Sequence, residues 1–252
     1  MPIAWPDGAN AAVSLTFDDA RLSQVDRGIP ILDRYDIKAT FYVNPAAVKE
    51  RLEGWRKAAA NGHEIGNHTV YHPCTGHYSW SRDHALENYT IERMEEELLE
   101  ANRLIMELTG YKPVTFGYPC DNAFVGRGER VMSYVPLIAK HFICGRGGIQ
   151  LEVPMDAGFA DLAQVPCGGA DGYSLDDFTS RIERAARHGG WVVFCGHEVG
   201  DPAWQTTSAS VLDELSSWLT GRRNEVWVAT VADVAARIRG TREARRKPQI
   251  VI

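Results

Sequence analysis

The feature that most constrains the fold is a regular alternation of short apolar runs with helical patterns. Runs of strand length stand at 12–17 (AVSLTF), 39–43 (ATFYV), 63–67 (HEIGN), 114–118 (VTFGY), 141–145 (HFICG), 191–196 (WVVFCG) and 226–231 (VWVATV). A weaker one lies at 162–166 (LAQVP). Between most of them come helical patterns. In 90–110, Ile91, Met94, Leu98, Leu104 and Leu108 fall near one stripe and Gly110 ends the helix. In 174–190, Ser174 is the expected N-cap and glycines close the segment. A shorter helix is expected over 231–240.

Strand–helix alternation with strands buried on both faces implies a parallel sheet. Seven or eight such units in 252 residues predict an α/β fold, a closed (β/α) barrel, with an open doubly wound sheet as the alternative. No internal repeat or linker interrupts the pattern, so 1–240 reads as one barrel domain and 241–252 as a basic C-terminal tail.

A net charge of −6 speaks against a nucleic-acid or anionic-membrane surface. The basic run from Arg239 is short and lacks interleaved aromatics, which marks a solvated tail. No apolar run approaches membrane-spanning length, and the N-terminus lacks the features of a signal peptide. The cysteines at 74, 120, 144, 167 and 195 are odd in number and form no CxxC pair. Free thiols in a reducing compartment, by default the cytoplasm, are therefore expected, with an exported precursor left open.

Parallel α/β folds place their sites at the carboxyl ends of the strands. Asp18 and Asp19 follow the first strand, Asn44 the second, and His68 and His72 the third. Then come 118–121 (YPCD), Arg146, His197 with Glu198, and Thr230. Each alone has an ordinary explanation, as a helix cap or a hydrogen-bonded histidine. Their convergence on one rim of a barrel is what raises them to a candidate site. Strand parity puts His63, Ile65 and Asn67 on one face and His68 on the other. His63 is accordingly read as structural. A helical turn over 68–72 (HTVYH) would bring His68 and His72 to one side. Two imidazoles and one carboxylate describe an open, catalytic zinc-type site, and the neighbouring carboxylate of 16–19 (TFDD) is then free to act as a base.

Together, 14–20 (SLTFDDA), 39–44 (ATFYVN), 62–73 (GHEIGNHTVYHP) and 192–200 (VVFCGHEVG) resemble the polysaccharide deacetylase family, carbohydrate esterase family 4. The resemblance implies a distorted (β/α) barrel, usually of seven strands, and metal-dependent removal of N- or O-acetyl groups from sugars. The implied cofactor is a divalent metal, zinc first, with cobalt, nickel or iron as alternatives. Carried over by position, Asp18 becomes the general base and Asp19, His68 and His72 the metal ligands. His197 becomes the general acid, and the backbone N–H of Cys120 helps hold the oxyanion.

Two departures mark a divergent branch. The third motif, usually Arg-x-Pro-Tyr, reads Gly117-Tyr118-Pro119-Cys120, so its arginine is missing; Arg146, at the next strand end, is the proposed substitute. The fourth motif's Asp and Trp have no clear match in 147–190. The expected partner is an acetylated carbohydrate or a small amide. Three rival readings stand: an amidohydrolase opening a cyclic amide, a non-catalytic metal-containing carbohydrate-binding domain, and a non-haem iron oxygenase. A carboxylate far upstream of both histidines counts against the last. Tyr78, Trp80, Tyr89 and Trp204 are candidate sugar-stacking rings, and Cys74 and Cys120 are read as ordinary loop thiols.

Overall fold

The computed structural model describes residues 3–149 and 155–246. Its strands are β1 (Ala11–Asp18), β2 (Thr40–Val43), β3 (Glu64–Asn67), β4 (Thr115–Gly117), β5 (Phe124–Val125), β6 (Met132–Ser133) and β7 (Cys144–Arg146), followed by β8 (Gly168–Gly169), β9 (Trp191–Gly196), β10 (Glu198–Gly200), β11 (Thr206–Ser208) and β12 (Val226–Val228). One parallel sheet runs in the order β7-β4-β3-β2-β1-β9-β8, and β12 pairs with the start of β1. Two small pairs, β5 with β6 and β10 with β11, stand outside it. They are too short to leave a periodic signal.

The sheet curls into a distorted barrel, closed at the weak 162–166 segment. The Gly145 N–H donates to Leu162 O at 2.7 Å, the Val165 N–H to Gly145 O at 2.7 Å, and the Gly147 N–H to Val165 O at 2.8 Å. The same stretch continues into β8, which pairs with β9. These bonds decide for the barrel over the open sheet.

Alternate residues of the strands divide the molecule into two environments. Val13, Leu15, Phe17, Phe41, Val43 and Ile65 point outward and pack under the helices, together with Trp55. The inward face changes character along its length. Ala12, Cys144, Trp191 and Val193 pack with Val231, Val234, Ala235 and Ile238 of the last helix, Val231–Arg246, which stoppers the amino-terminal end. Above them the interior is polar. Glu64 accepts from Thr40 Oγ1 at 2.7 Å, from Thr115 Oγ1, and from the Ala232 N–H at 2.9 Å, so it also caps the last helix. Burial pushes its carboxyl above the ordinary range. Tyr42 fills the next level. A Cβ on Gly66 would lie 2.5 Å from its ring and one on Gly117 2.7 Å, so both strands need glycine there.

Helix Ile91–Thr109 is capped by Thr90, whose side chain accepts from the Arg93 N–H, and ends at Gly110 with φ 75°. Its buried apolar seam runs through Met94, Leu98, Ala101 and Ile105, not through Leu104 and Leu108, which are half-buried. Helix Leu175–His188 carries a capping box of Ser174 and Asp177. The last helix runs beyond 240 to Arg246, taking in the first basic residues. Among the described residues no helix is long and apolar enough to cross a membrane.

Candidate active site

At the carboxyl mouth of the barrel, chain reversals hold several non-glycine residues in left-handed backbone. Asp19 (φ 74°) and Ala20 (φ 53°) turn the chain out of β1, and Thr69 (φ 64°) and His72 (φ 50°) shape the loop after β3. Such conformations cost of order 1–3 kcal/mol each and persist only where the surroundings impose them. Here the restraint is visible. The Thr69 N–H donates to Asn67 Oδ1 at 2.7 Å, and the His72 N–H to Thr69 Oγ1 at 2.9 Å. Asn44 Nδ2 donates to His68 O at 2.6 Å. Residues 68–72 are thus not the helical turn expected, because these side-chain bonds stabilise an irregular loop instead.

The loop nevertheless brings both rings to one carboxylate oxygen. Asp19 Oδ1 lies 3.5 Å from His68 Nε2 and 3.4 Å from His72 Nε2, with the rings edge to face at 4.8 Å between centroids. His68 Nδ1 sits 2.8 Å from Gly117 O, which orients the ring so that its Nε2 faces Asp19. Burial and the neighbouring His68 hold His72 at about 4, so its ring is neutral near pH 7. Burial opposes ionisation of Asp19, but the two imidazoles and Arg21 outweigh it and hold the carboxyl far below its ordinary range. One donor atom from each of the three side chains lies within 4.8 Å of the others, the chemistry of a three-ligand divalent-metal site.

Asp18 stands beside this set but turns to other partners. It is 5% exposed, and its Oδ1 accepts from Arg146 Nη2, a guanidinium that is 2% exposed. Cys195 Sγ lies 3.4 Å from Oδ2 and His68 Nε2 3.8 Å. Desolvation would raise the Asp18 pKa; Arg146, then His68 and His197, more than offset it and keep the carboxylate ionised. The Arg146 guanidinium also lies over the Tyr42 ring at 4.8 Å. Residue 146 therefore puts a guanidinium where position 117 has none.

His197 follows β9, and its Nδ1 is 2.6 Å from Asp171 Oδ2. Burial disfavours the imidazolium, but Asp171 and then Asp18 overcome this and raise the pKa. Asp171 Oδ1 also accepts the His197 N–H at 3.1 Å. The sequence reading found no acid partner for His197 in 147–190, and the structure corrects this with Asp171. Its only signal was its place just after a strand. That strand, β8, is Gly168–Gly169 and shows neither apolar character nor periodicity. Gln24, likewise unforeseen, donates to Asp18 O at 2.5 Å and His197 O at 2.8 Å and ties the two strand ends together.

His63 is fully buried on the outer side of β3, where its Nδ1 accepts the Ala39 N–H at 3.1 Å and its Nε2 faces Asp33 at 3.2 Å. Cys120, in the turn Pro119–Asp121, has φ 51° and reaches the cleft as expected. The free-thiol reading of its side chain is wrong, because Cys74 and Cys120 form a disulfide that fastens the 73–89 segment to the end of β4. The expectation of a reducing compartment rested on five free thiols and loses that ground. Cys144, Cys167 and Cys195 are free.

These groups surround an open cleft of about 1160 Å³. Tyr78 and Trp80, stacked at 5.5 Å between centroids, stand on one side with Trp80 5.9 Å from the His72 ring, and Trp204 also lines the cleft. Tyr89 does not. It is buried and donates to Glu97 Oε2 at 2.5 Å, which makes it a packing residue.

The polysaccharide deacetylase family model matches residues 7–123, which include Asp18, Asp19, His68, His72 and Cys120. Over this amino-terminal stretch the chain is similar to that family. One family relative, the peptidoglycan-N-acetylglucosamine deacetylase of Listeria monocytogenes, is 30% identical over 118 residues, covering 44% of this chain and 22% of its own length. The chain spans well under half the length of the relatives it matches, from 9% of a gellan lyase of a Bacillus species to 39% of a chitooligosaccharide deacetylase of Sinorhizobium fredii. A solved structure of a putative polysaccharide deacetylase from Mycobacterium smegmatis shares the fold, with a TM-score of 0.69 at 18% identity over 96% of this chain and 94% of that one. A family 4 acetyl xylan esterase from Clostridium thermocellum, solved with a cobalt ion, follows at 0.56 and 19%, covering 89% and 90%. The family match ends before Arg146, Asp171 and His197, so those three join the site through the fold.

Proposed function

We propose that this domain is a metal-dependent deacetylase that removes acetyl groups, N-acetyl first, from a sugar or polysaccharide. The observation that carries the reading is the grouping of three pairings at one cleft: Asp19 with His68 and His72, Asp18 with Arg146, and His197 with Asp171. Asp19, His68 and His72 would hold the ion, which supplies Lewis acidity toward the acetyl carbonyl when bound. Zinc suits two nitrogens and one oxygen, and cobalt, nickel or iron would use the same donors.

The remaining steps belong to the protein. Asp18, kept ionised by Arg146, takes a proton from the attacking water. The N–H of Cys120, a residue that lines the cleft, donates to the developing oxyanion. An amine leaves poorly unless protonated, and His197, whose proton affinity Asp171 raises, is the acid that supplies that proton. The exposed faces of Tyr78, Trp80 and Trp204 offer stacking surfaces for pyranose rings. The activities of the peptidoglycan deacetylase and the acetyl xylan esterase favour an acetylated carbohydrate over a cyclic amide. The missing third-motif arginine made the cyclic-amide alternative harder to set aside, and the Arg146–Asp18 pair weakens that alternative.

The test is acetate release from N-acetylglucosamine oligomers and acetylated xylan by zinc-loaded protein, with and without chelator. Release that chelator abolishes and zinc restores is the expected result. No release from either substrate, with zinc bound, overturns the reading.

A further inference from the structure

The Cys74–Cys120 disulfide lies against the candidate metal centre, and one imidazole faces both. His72 Nε2 points to Asp19 Oδ1 at 3.4 Å, while its Nδ1 lies 3.7 Å from Cys74 Sγ. The donor atoms of His72, Cys74 and Cys120 lie within 4.8 Å of one another, as do those of the Asp19, His68 and His72 set. A metal-ligating histidine ordinarily gives its second ring nitrogen to a carbonyl or carboxylate, as His68 gives its own to Gly117 O. His72 instead turns that nitrogen toward sulfur.

We propose that reduction of the Cys74–Cys120 bond creates a second metal site, built from His72 Nδ1 and the two thiolates, that takes soft divalent cations. A dithiol reductant opens the bond by two successive exchanges. It leaves as its own disulfide, and its two protons pass to the Cys74 and Cys120 sulfurs. A divalent ion entering the site displaces those two protons to solvent, so the net charge of the pocket is unchanged. Two sulfurs and one nitrogen leave a fourth position for solvent, and thiolates select zinc, cadmium or cobalt over hard cations.

Both cysteines are held by bonds that do not depend on the cystine. The Cys74 N–H donates to Ser81 Oγ at 2.9 Å, and Ser81 Oγ donates back to Cys74 O at 3.0 Å. The turn bearing Cys120 is closed by Asp121 N–H to Tyr118 O at 3.2 Å and by Asn122 N–H to Pro119 O at 3.0 Å. The separated sulfurs therefore stay near His72. The imidazole ring need not rotate, since its two nitrogens already face the two sites.

The oxidised protein and protein reduced by a water-soluble phosphine, which is removed before metal is added, are titrated anaerobically with cobalt(II). The phosphine carries off a water oxygen as its oxide, and the water protons go to the two sulfurs. A near-ultraviolet thiolate-to-cobalt charge-transfer band, with one added equivalent of bound cobalt, is expected in the reduced protein only. The oxidised protein keeps the thiols of Cys144, Cys167 and Cys195, so it is the internal control. Reduced Cys74→Ser and Cys120→Ser lose the band, and reduced Asp19→Asn keeps it. No band in the reduced wild type overturns the proposal. So does a band that survives Cys74→Ser and Cys120→Ser, or one that disappears with Asp19→Asn. The band reports sulfur ligation alone, so this result is separate from whether the domain releases acetate.

Discussion

Arg146→Ala tests whether residue 146 serves the catalytic carboxylate. Arg146 and Asp18 are 2% and 5% exposed, so the figure for a desolvated pair applies, not the 0–1 kcal/mol of surface ion pairs. Removing one partner of a buried pair costs about 3–5 kcal/mol, because the other charge is left without compensation. For a chain of this size that corresponds to a fall in melting temperature of about 6–20 °C. The chemistry changes in the same direction. With Arg146 present the Asp18 pKa lies below its ordinary value, so its contribution to stability exists above the unfolded pKa and is lost as pH falls through the folded one. Without the guanidinium, desolvation becomes the leading influence and pushes the carboxyl up, and the acid limb of the rate profile moves to higher pH. Turnover near neutrality should drop by about 10²–10⁴, the range for loss of a positioned base. Zinc stoichiometry, measured by elemental analysis, stays unchanged because Arg146 touches none of the three ligands. The Arg146→Met, Asp18→Asn double variant should regain stability without regaining turnover. Near wild-type turnover in Arg146→Ala, with an unmoved acid limb, would refute the assignment.

Asp171→Asn should lower turnover by about 10²-fold or more and move the alkaline limb to lower pH. The sign follows from His197: its folded pKa is raised, so the pairing stabilises below the unfolded pKa and is lost as pH rises through the folded one. An unmoved alkaline limb would count against His197 as the acid. His63→Ala should cost about 1–3 kcal/mol in denaturant unfolding by leaving the Ala39 N–H buried and unpaired, and the variant should bind zinc as the wild type does. Loss of zinc on that change would place His63 in the metal centre after all.

Most of the barrel was legible because its strands leave a local record. β1, β2 and β9 are largely apolar with β-branched and aromatic residues, and the helices between the strands carry caps and stripes that sum over many residues. β8 was not legible as a strand, since two glycines pair by backbone alone. The invisible strand hid Asp171, because a residue is singled out as the end of a strand only if the strand is seen. The disulfide was illegible for another reason. Cys74 and Cys120 are 46 residues apart in the chain, and nothing in their spacing says that the loops after β3 and β4 meet.

By itself the sequence determined the fold class, the carboxyl rim where chemistry collects, and the separation of His63 from His68. Periodicity and parity are properties of neighbouring residues and need no partner to be read. Only the tertiary structure decided that Arg146 reaches Asp18 across 128 positions, that Asp171 holds His197, and that Cys74 meets Cys120 beside His72. Those pairings depend on how a curled sheet brings distant strand ends together. The energy that keeps them is that of desolvated charges finding partners, which no stretch of chain expresses alone.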